Sequence, residues 1–283
     1  MAVRRTPSSG GLGVAGPGPG LQDGQIVTVL HECARAAGAV LLDHYRRRDF
    51  RVDAKGASDL VTSADHAAEV AILGRIRAAF PDHAVLAEES GLQVGNEDAT
   101  WYIDPLDGTT NFANFLPFWC ISLAVDASQG GGAAVVYAPL LDEFFATAGA
   151  GATLNGQPLT VRALPLARAL VYGNIGDSRG QSGEAERIIA VLAPRIHRMR
   201  MMGSLAMGLA YVAAGRFDGA LQTGAEAWDF MAGAALVRAA GGLVSDPEGG
   251  PLGPRSTGVI AAATPEMHAL LLEAAASRPR ARS

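Results

Sequence analysis

The sequence predicts an α+β fold of two halves that share one interface. Three observations predict it. The chain has 283 residues, 49% of them hydrophobic, which is enough for a sizeable core. Segments with the helical spacing of apolar residues are intermixed with short apolar runs bounded by Gly, Pro, Asn or Asp. No internal repeat and no long linker divides the chain.

Asp23 is placed to cap a helix over 26–47, with Ile26, Leu30, Ala34, Ala37 and Leu41 on one face. Thr62-Ser63-Ala64-Asp65 has the form of a capping box and opens a second helix over 64–80. Pro81-Asp82 turns the chain into a strand over 84–87, which ends at Glu88 and Glu89. A strand over 101–103 runs into Asp104. Strands follow over 118–125 and 133–137, joined by a Gly-rich turn, and over 144–148. Asn155-Gly156 marks a hairpin turn ahead of a strand over 159–161.

The back half alternates more regularly. Strands are expected over 169–172, 217–221, 243–244 and 259–262, and helices over 184–192, 206–214, 228–240 and 265–276. Gly241-Gly242 stops the third of these helices. The cluster from Met199 to Met202 reads as a buried strand. Residues 1–20 and 277–283 read as flexible extensions around one domain, 21–276, whose halves are 21–162 and 163–276.

Charge and cysteine usage exclude several classes. Lys plus Arg number 23 against 28 Asp plus Glu, a net charge of −5, and no broad basic stripe suits a nucleic acid. Cys33 and Cys120 lie far apart without metal-ligand spacing, which points to a reduced, cytoplasmic setting. No run approaches the roughly 18–20 apolar residues of a membrane span. Residues 1–20 contain Arg4 and Arg5 but no apolar stretch of a secretory signal.

The chemistry centres on Asp104-Pro105-Leu106-Asp107-Gly108-Thr109-Thr110-Asn111-Phe112. Here an apolar strand meets two carboxylates and a turn whose backbone N–H groups can start a helix. The carboxylates suit a hard cation and the N–H groups an anion, and a phosphate ester carried by Mg²⁺ satisfies both. Glu88 and Asp229 lie at ends of elements as well. Each acid alone is ordinary: Asp107-Gly108 as a turn, Asp229 as a helix-capping acid. Together, with no adjacent Lys or Arg, they favour a cation, and a set without His or Cys favours Mg²⁺ over zinc. The Thr109 hydroxyl can donate to a carboxylate while accepting from a water. It can equally cap the helix it begins, with Asp65 closing the capping box at Thr62.

The stretch from Trp101 to Phe112 closely resembles the first motif of the inositol monophosphatases. Ala225-Glu226-Ala227-Trp228-Asp229-Phe230-Met231-Ala232-Gly233 resembles their second. Lys55-Gly56-Ala57-Ser58-Asp59-Leu60-Val61-Thr62, Asp65, Glu88-Glu89-Ser90 and Gly203-Ser204-Leu205-Ala206 match further segments. The resemblance runs in unbroken order from Gln25 to Ala276. It implies a layered α-β-α-β-α sandwich of the inositol monophosphatase and fructose-1,6-bisphosphatase type, often assembled as a homodimer.

The same resemblance implies that Glu88, Asp104, Asp107 and Asp229 hold Mg²⁺ through side chains and Leu106 through its carbonyl. Asp65 and Thr109 would orient the attacking water, with Glu88 near it. Backbone N–H groups at Gly108 and Thr109 would receive the phosphate. Gly203, Ser204, Leu205, Gln222 and Asp229 would face the alcohol, completing a substrate site with Glu88, Leu106 and Asp107. Lys55 would sit near the anionic site. The implied reaction is attack of a metal-activated water on a small phosphate monoester, with no covalent protein nucleophile and with lithium sensitivity.

One position departs from the pattern. Inositol-specific members carry a glutamate for the ring hydroxyls where this chain has Gln222, seven positions before Asp229. Gln keeps an acceptor, adds a donor and removes a charge. A tolerated isostere and a real shift of specificity both stay open. The expected substrate is inositol 1-phosphate or a related polyol or sugar phosphate. The same chemistry on fructose 1,6-bisphosphate, histidinol phosphate or 3′-phosphoadenosine phosphates is the alternative. A regulatory module that binds the transcription machinery is the alternative of another class.

Overall fold

The structure is a computed structural model that describes residues 21–54, 60–127, 132–174 and 183–277. The expected extension over 1–20, the tail over 278–283, the Lys55 to Asp59 segment and the turn at 128–131 lie outside the described residues.

The first described element is α1 (Leu21–Arg47), so Asp23 lies inside its first turn and not ahead of it. The antiparallel pair β1 (Val52–Ala54) and β2 (Leu60–Thr62) follows. Then comes α2 (Ser63–Ala79), capped as the sequence predicts: Thr62 Oγ1 accepts from the Ala64 N–H, and the Asp65 carboxylate accepts from the Thr62 N–H. Next are β3 (His83–Ala87), β4 (Gly91–Gln93), β5 (Asn96–Asp107), α3 (Thr109–Ala113), β6 (Cys120–Ala127), β7 (Gly132–Ala138) and β8 (Glu143–Thr147). A hairpin of β9 (Ala152–Leu154) and β10 (Gln157–Pro158) turns at Asn155-Gly156.

The strand expected over 159–161 does not form. Its Val161 N–H donates instead to the Ala240 carbonyl, tying this stretch to the end of a later helix. Strands β3 to β10 make one eight-stranded sheet in the order β10-β9-β8-β7-β6-β5-β3-β4, with only β3 and β5 parallel.

The back half continues with β11 (Leu170–Asn174), α4 (Glu184–Leu192), β12 (Arg198–Arg200) and α5 (Leu205–Ala213). It ends with β13 (Gly219–Thr223), α6 (Ala227–Ala239), β14 (Leu243–Ser245), β15 (Gly258–Ala262) and α7 (Pro265–Ala276). Its five strands are ordered β12-β11-β13-β15-β14. The methionine cluster is not a buried strand. β12 is a short edge strand whose arginines face solvent, and Met201 just beyond it is 61% exposed.

Five layers result. On the outside, Leu30, Ala34, Ala37 and Leu41 of α1 and Ile72 and Ile76 of α2 pack on Trp101, Ile103, Leu123 and Val135 of the large sheet. The opposite face of that sheet, with Ala134, Val136 and Phe145, packs on α5 and α6 through Leu209, Phe230 and Leu236. The same core reaches Ala220 and Val259 of the small sheet. Beyond it, Val171, Leu221 and Ile260 pack on Leu192 of α4 and Leu271 of α7. This is the α-β-α-β-α sandwich, and its central helices α5 and α6 share a core with both sheets.

The 24-residue stretch Gly24–Arg47 is long and apolar enough to cross a membrane by length and mean hydropathy, contrary to the expectation from apolar runs. Its apolar residues recur every three or four positions and are buried against α2 and the sheet, as in an amphipathic core helix. Glu32, Arg35 and Asp43 interrupt it.

Candidate active site

The four acids come from three separate elements. Glu88 follows the end of β3 and its N–H donates to the Ile103 carbonyl of β5. Asp104 and Asp107 belong to β5 itself and do not follow it, as the pattern suggested. The pairing with β6 is irregular between them, because Pro105 has no N–H to give to the ladder. Asp229 is the third residue of α6, where its carboxylate accepts from the Glu226 N–H at 2.8 Å.

At the turn after β5, Gly108 adopts φ 100°, and a Cβ there would meet the Phe118 carbonyl at 3.0 Å and the Gly203 carbonyl at 3.3 Å. Only glycine suits that left-handed, crowded position. Gly108 is thus the N-cap of α3, and Thr109 does not cap the helix it begins. The Thr109 hydroxyl turns inward, 3.1 Å from Asp65 Oδ1 and 3.0 Å from the Leu106 carbonyl. With one hydrogen for two acceptors, it keeps lone pairs for a third partner. The predicted Asp65–Thr109 pair therefore forms, alongside the capping box that Asp65 also closes.

Asp107 is gripped by the start of α5. Its Oδ2 accepts from the Ser204 hydroxyl at 2.7 Å and from the Ala206 N–H at 2.6 Å, with a further bond from the Leu205 backbone. Ser204 is the N-cap of α5, so one serine serves both the helix and the acid. Gly203, at φ 79°, passes close to Asn111, whose side-chain amide donates to the Met202 and Phe118 carbonyls at 2.6 and 2.7 Å. Tyr172 Oη accepts from the Ser204 N–H at 3.1 Å.

Burial first, and then the charges of Glu88, Asp107 and Asp229, hold Asp104 well above the usual carboxylate range. Asp229 is raised by burial and then by Asp107. Burial pushes Asp107 up to about 6 against the opposing donors of Ser204 and Ala206, and pushes Asp65 up to about 6 against those of Thr62. Buried like charges raise one another in this way when no cation lies among them. Among the described residues, no Lys or Arg forms an ion pair with Asp104, Asp107 or Asp229.

The donor set, carboxylates with the Leu106 carbonyl nearby, suits a hard cation such as Mg²⁺. It is not a closed cage. Among the described residues, no three His, Cys, Asp or Glu side chains converge in ligand geometry. Asp104 uses Oδ1 on the Leu106 N–H, while Asp107 and Asp229 each use Oδ2 on helix starts. The Asp104 carboxyl also bonds the Glu88 side chain, and Asp107 takes a further bond from the Leu205 backbone.

The structure joins Asp65 to Thr109, sets Glu88, Asp107 and Asp229 near enough to Asp104 for their charges to raise it, and places Gly108 against Gly203 at the start of the Ser204-Leu205 segment. Gln222 stands apart. It lies on β13 opposite Val259, on the face shared with Ala220, and no hydrogen bond joins it to the acids among the described residues. Its Oε1 is buried without a partner. Asn111 and Tyr172 are site residues that the sequence reading assigned no role. An amide within the first motif was a signal for Asn111, whereas Tyr172 looked like any aromatic at a strand end. Cys120, 3.6 Å from Ser204 Oγ and raised by burial, completes the packing around Asp107.

A model of the inositol monophosphatase family matches residues 23–280. The chain is 43% identical over 231 residues to the Nus factor SuhB of Salmonella typhimurium, covering 80% of this chain and 86% of that one. It is 35% identical over 227 residues to an inositol monophosphatase of Dictyostelium discoideum, covering 77% and 84%. Among solved structures, the extragenic suppressor protein SuhB of Bartonella henselae superposes with a TM-score of 0.83 at 34% identity, covering 88% of this chain and 98% of that one. The Thermotoga maritima IMPase does so with 0.78 at 32%, covering 89% and 98%.

Proposed function

The chain belongs to the inositol monophosphatase family, and from that premise we propose that it is a Mg²⁺-dependent phosphomonoesterase acting on inositol 1-phosphate or a related polyol or sugar phosphate. The products are the alcohol and inorganic phosphate. The observation that carries the reading is that Glu88, Asp107 and Asp229 lie close enough to the buried Asp104 for their charges, after burial itself, to hold its carboxyl well above the usual carboxylate range. Such repulsion is relieved by a bound cation.

Glu88, Asp104, Asp107, Asp229 and the Leu106 carbonyl would hold Mg²⁺, which when bound supplies Lewis acidity toward water and phosphate. The chain's own residues do the rest. Thr109, donating to Asp65 or to the Leu106 carbonyl, accepts a hydrogen from the attacking water and so aims a lone pair at phosphorus. Asp65 fixes the direction of that hydroxyl and disperses the positive charge that builds on the attacking oxygen. The N–H groups of Gly108 and Thr109, at a helix start where intrahelical partners are lacking, meet the phosphate oxygens. Gly203, Ser204, Leu205 and Gln222 are the residues assigned to the alcohol. The reading carries with it a homodimer and a cytoplasmic setting, the first checked by sedimentation.

A second reading is favoured by the relatives that bear the name Nus factor. In it the chain contacts the transcription machinery, with or without catalysis. Phosphate release measured with Mg²⁺ from inositol 1-phosphate, fructose 1,6-bisphosphate, histidinol phosphate and 3′-phosphoadenosine 5′-phosphate separates the two. Turnover on a polyol phosphate supports the enzyme. Release from none of the four sinks it and promotes the second reading.

A further inference from the structure

A cavity of about 450 Å³ lies beside the start of β11 and the edge strand β12, and none of the candidate active-site residues lines it. Arg162, Arg168, His197, Arg198, Arg200 and Arg216 do, with no aspartate or glutamate among the lining residues. Two of these arginines are matched from behind. Arg162 donates to both carboxylate oxygens of Asp218, at 3.1 and 2.8 Å. Arg216 pairs with Glu143 and lies 4.4 Å over the Tyr211 ring.

The other three differ. Among the described residues no carboxylate pairs with Arg168, Arg198 or Arg200. Arg198 and Arg200 are two apart on β12 and both exposed, so their side chains share one face of the strand. Each directs one N–H to the carbonyl of the residue before it, His197 at 2.7 Å and Met199 at 3.0 Å, which leaves most of each guanidinium fork available. In a chain of net charge −5, three unmatched guanidinium groups around one concavity are a local reversal of sign. Their mutual repulsion is relieved by an anion.

We propose that this cleft is a binding site for a small phosphate-bearing polyanion of the di- or triphosphate class. Planar guanidinium forks match phosphate oxygens in pairs, which separates phosphate from a simple halide, and three such forks meet the several charged oxygens of a di- or triphosphate where a single carboxylate engages one. The concavity limits the size of the ligand. A nucleic acid would call for a longer basic track than one cavity in an acidic protein.

The test is calorimetric titration of the full chain with inorganic triphosphate in EDTA, so that metal-supported binding at the acid cluster is silent. Saturable binding of one equivalent is expected. The double variant Arg168→Ala/Arg200→Ala, at exposed positions and checked for folding by circular dichroism, should weaken it at least tenfold, since it removes two of the three unmatched guanidinium forks. Arg47→Ala, on an exposed arginine elsewhere, should leave it unchanged. The proposal is overturned by any of four results: no saturation in the millimolar range, equal weakening by Arg47→Ala, or loss in Asp107→Asn with retention in the double variant. The fourth is a double variant that changes the association state while wild type ignores triphosphate, which would make the patch a contact between copies.

Discussion

Ser204 and Asp107, 97 residues apart, are joined by a 2.7 Å hydrogen bond in which the Ser204 hydroxyl donates to Asp107 Oδ2. The Ala206 N–H reaches the same oxygen, so the helix start of the back half fixes an acid of the front half. Ser204→Ala removes one donor and the helix N-cap together. Its expected cost is about 1 kcal/mol of stability from the cap. The Asp107 pKa should also rise, so the Mg²⁺ concentration for half-maximal activity should increase several-fold at pH 7. Equal Mg²⁺ dependence in variant and wild type would show that this bond does not prepare Asp107 for a cation.

Asp107→Asn should reduce Mg²⁺-dependent phosphate release by about 100-fold or more, in keeping with the loss of a metal ligand. Asn retains an acceptor for Ser204 and Ala206 and removes one charge from a repelling set. In EDTA the variant should therefore melt no lower than wild type. Retained activity would take Asp107 out of the metal set. A lower melting temperature would mean that the acids stabilise the metal-free fold.

The capping box at Thr62 and Asp65 was legible as a local motif, whereas the Asp65–Thr109 pair, 44 residues apart, was legible only through the family resemblance. The Ser204–Asp107 and Asn111–Met202 bonds were not legible, since they depend on how two sheets and a shared helical layer come together. The strand misreadings have the same origin. Residues 159–161 look like a strand in isolation, yet a bond to the end of α6 settles them as a loop. Met199 to Met202 looked buried by composition, but an edge strand with outward arginines places Met201 in solvent. Even Asp104 and Asp107 were read as following a strand, because Pro105 hides the continuation of β5 across its bulge.

Thr109→Ala should lower turnover by at least about tenfold and change Mg²⁺ affinity less than twofold, since the hydroxyl aims a water and holds no cation. Thr109→Ser restores the hydroxyl and should recover most of the rate. The opposite split, with affinity falling and turnover preserved, would assign Thr109 to the metal. The check is a pair of curves, rate against substrate and rate against Mg²⁺, for all three proteins.

The pH dependence follows from the raised acids. Asp65 and Asp107 sit at about 6 in the fold and near 3.8 when exposed, so the folded state binds more protons than the unfolded chain between those values. Their contribution to stability is therefore present below about 4 and lost as pH rises through 6. Without metal, the melting temperature should carry this falling component between pH 4 and 6, and Asp65→Asn should flatten it. Mg²⁺ should raise the melting temperature above pH 6 and have little effect below pH 5, where protons occupy the acids. Stabilisation by Mg²⁺ that is equal at pH 4.5 and 7.5 would contradict a carboxylate site.

Gln222 carries the question of substrate. Its Oε1 is buried with no partner, on the face of β13 that looks toward the central helices. A buried acceptor left unsatisfied costs about 1–3 kcal/mol unless a ligand donates to it. Gln222→Glu places a charge where that acceptor stands, strengthening bonds to hydroxyl donors and repelling anionic groups. The ratio of kcat/KM for inositol 1-phosphate to that for fructose 1,6-bisphosphate should therefore rise, by about tenfold for one charged bond gained. A ratio within twofold of wild type would make Gln222 a tolerated isostere and leave discrimination to the Gly203-Ser204-Leu205 side.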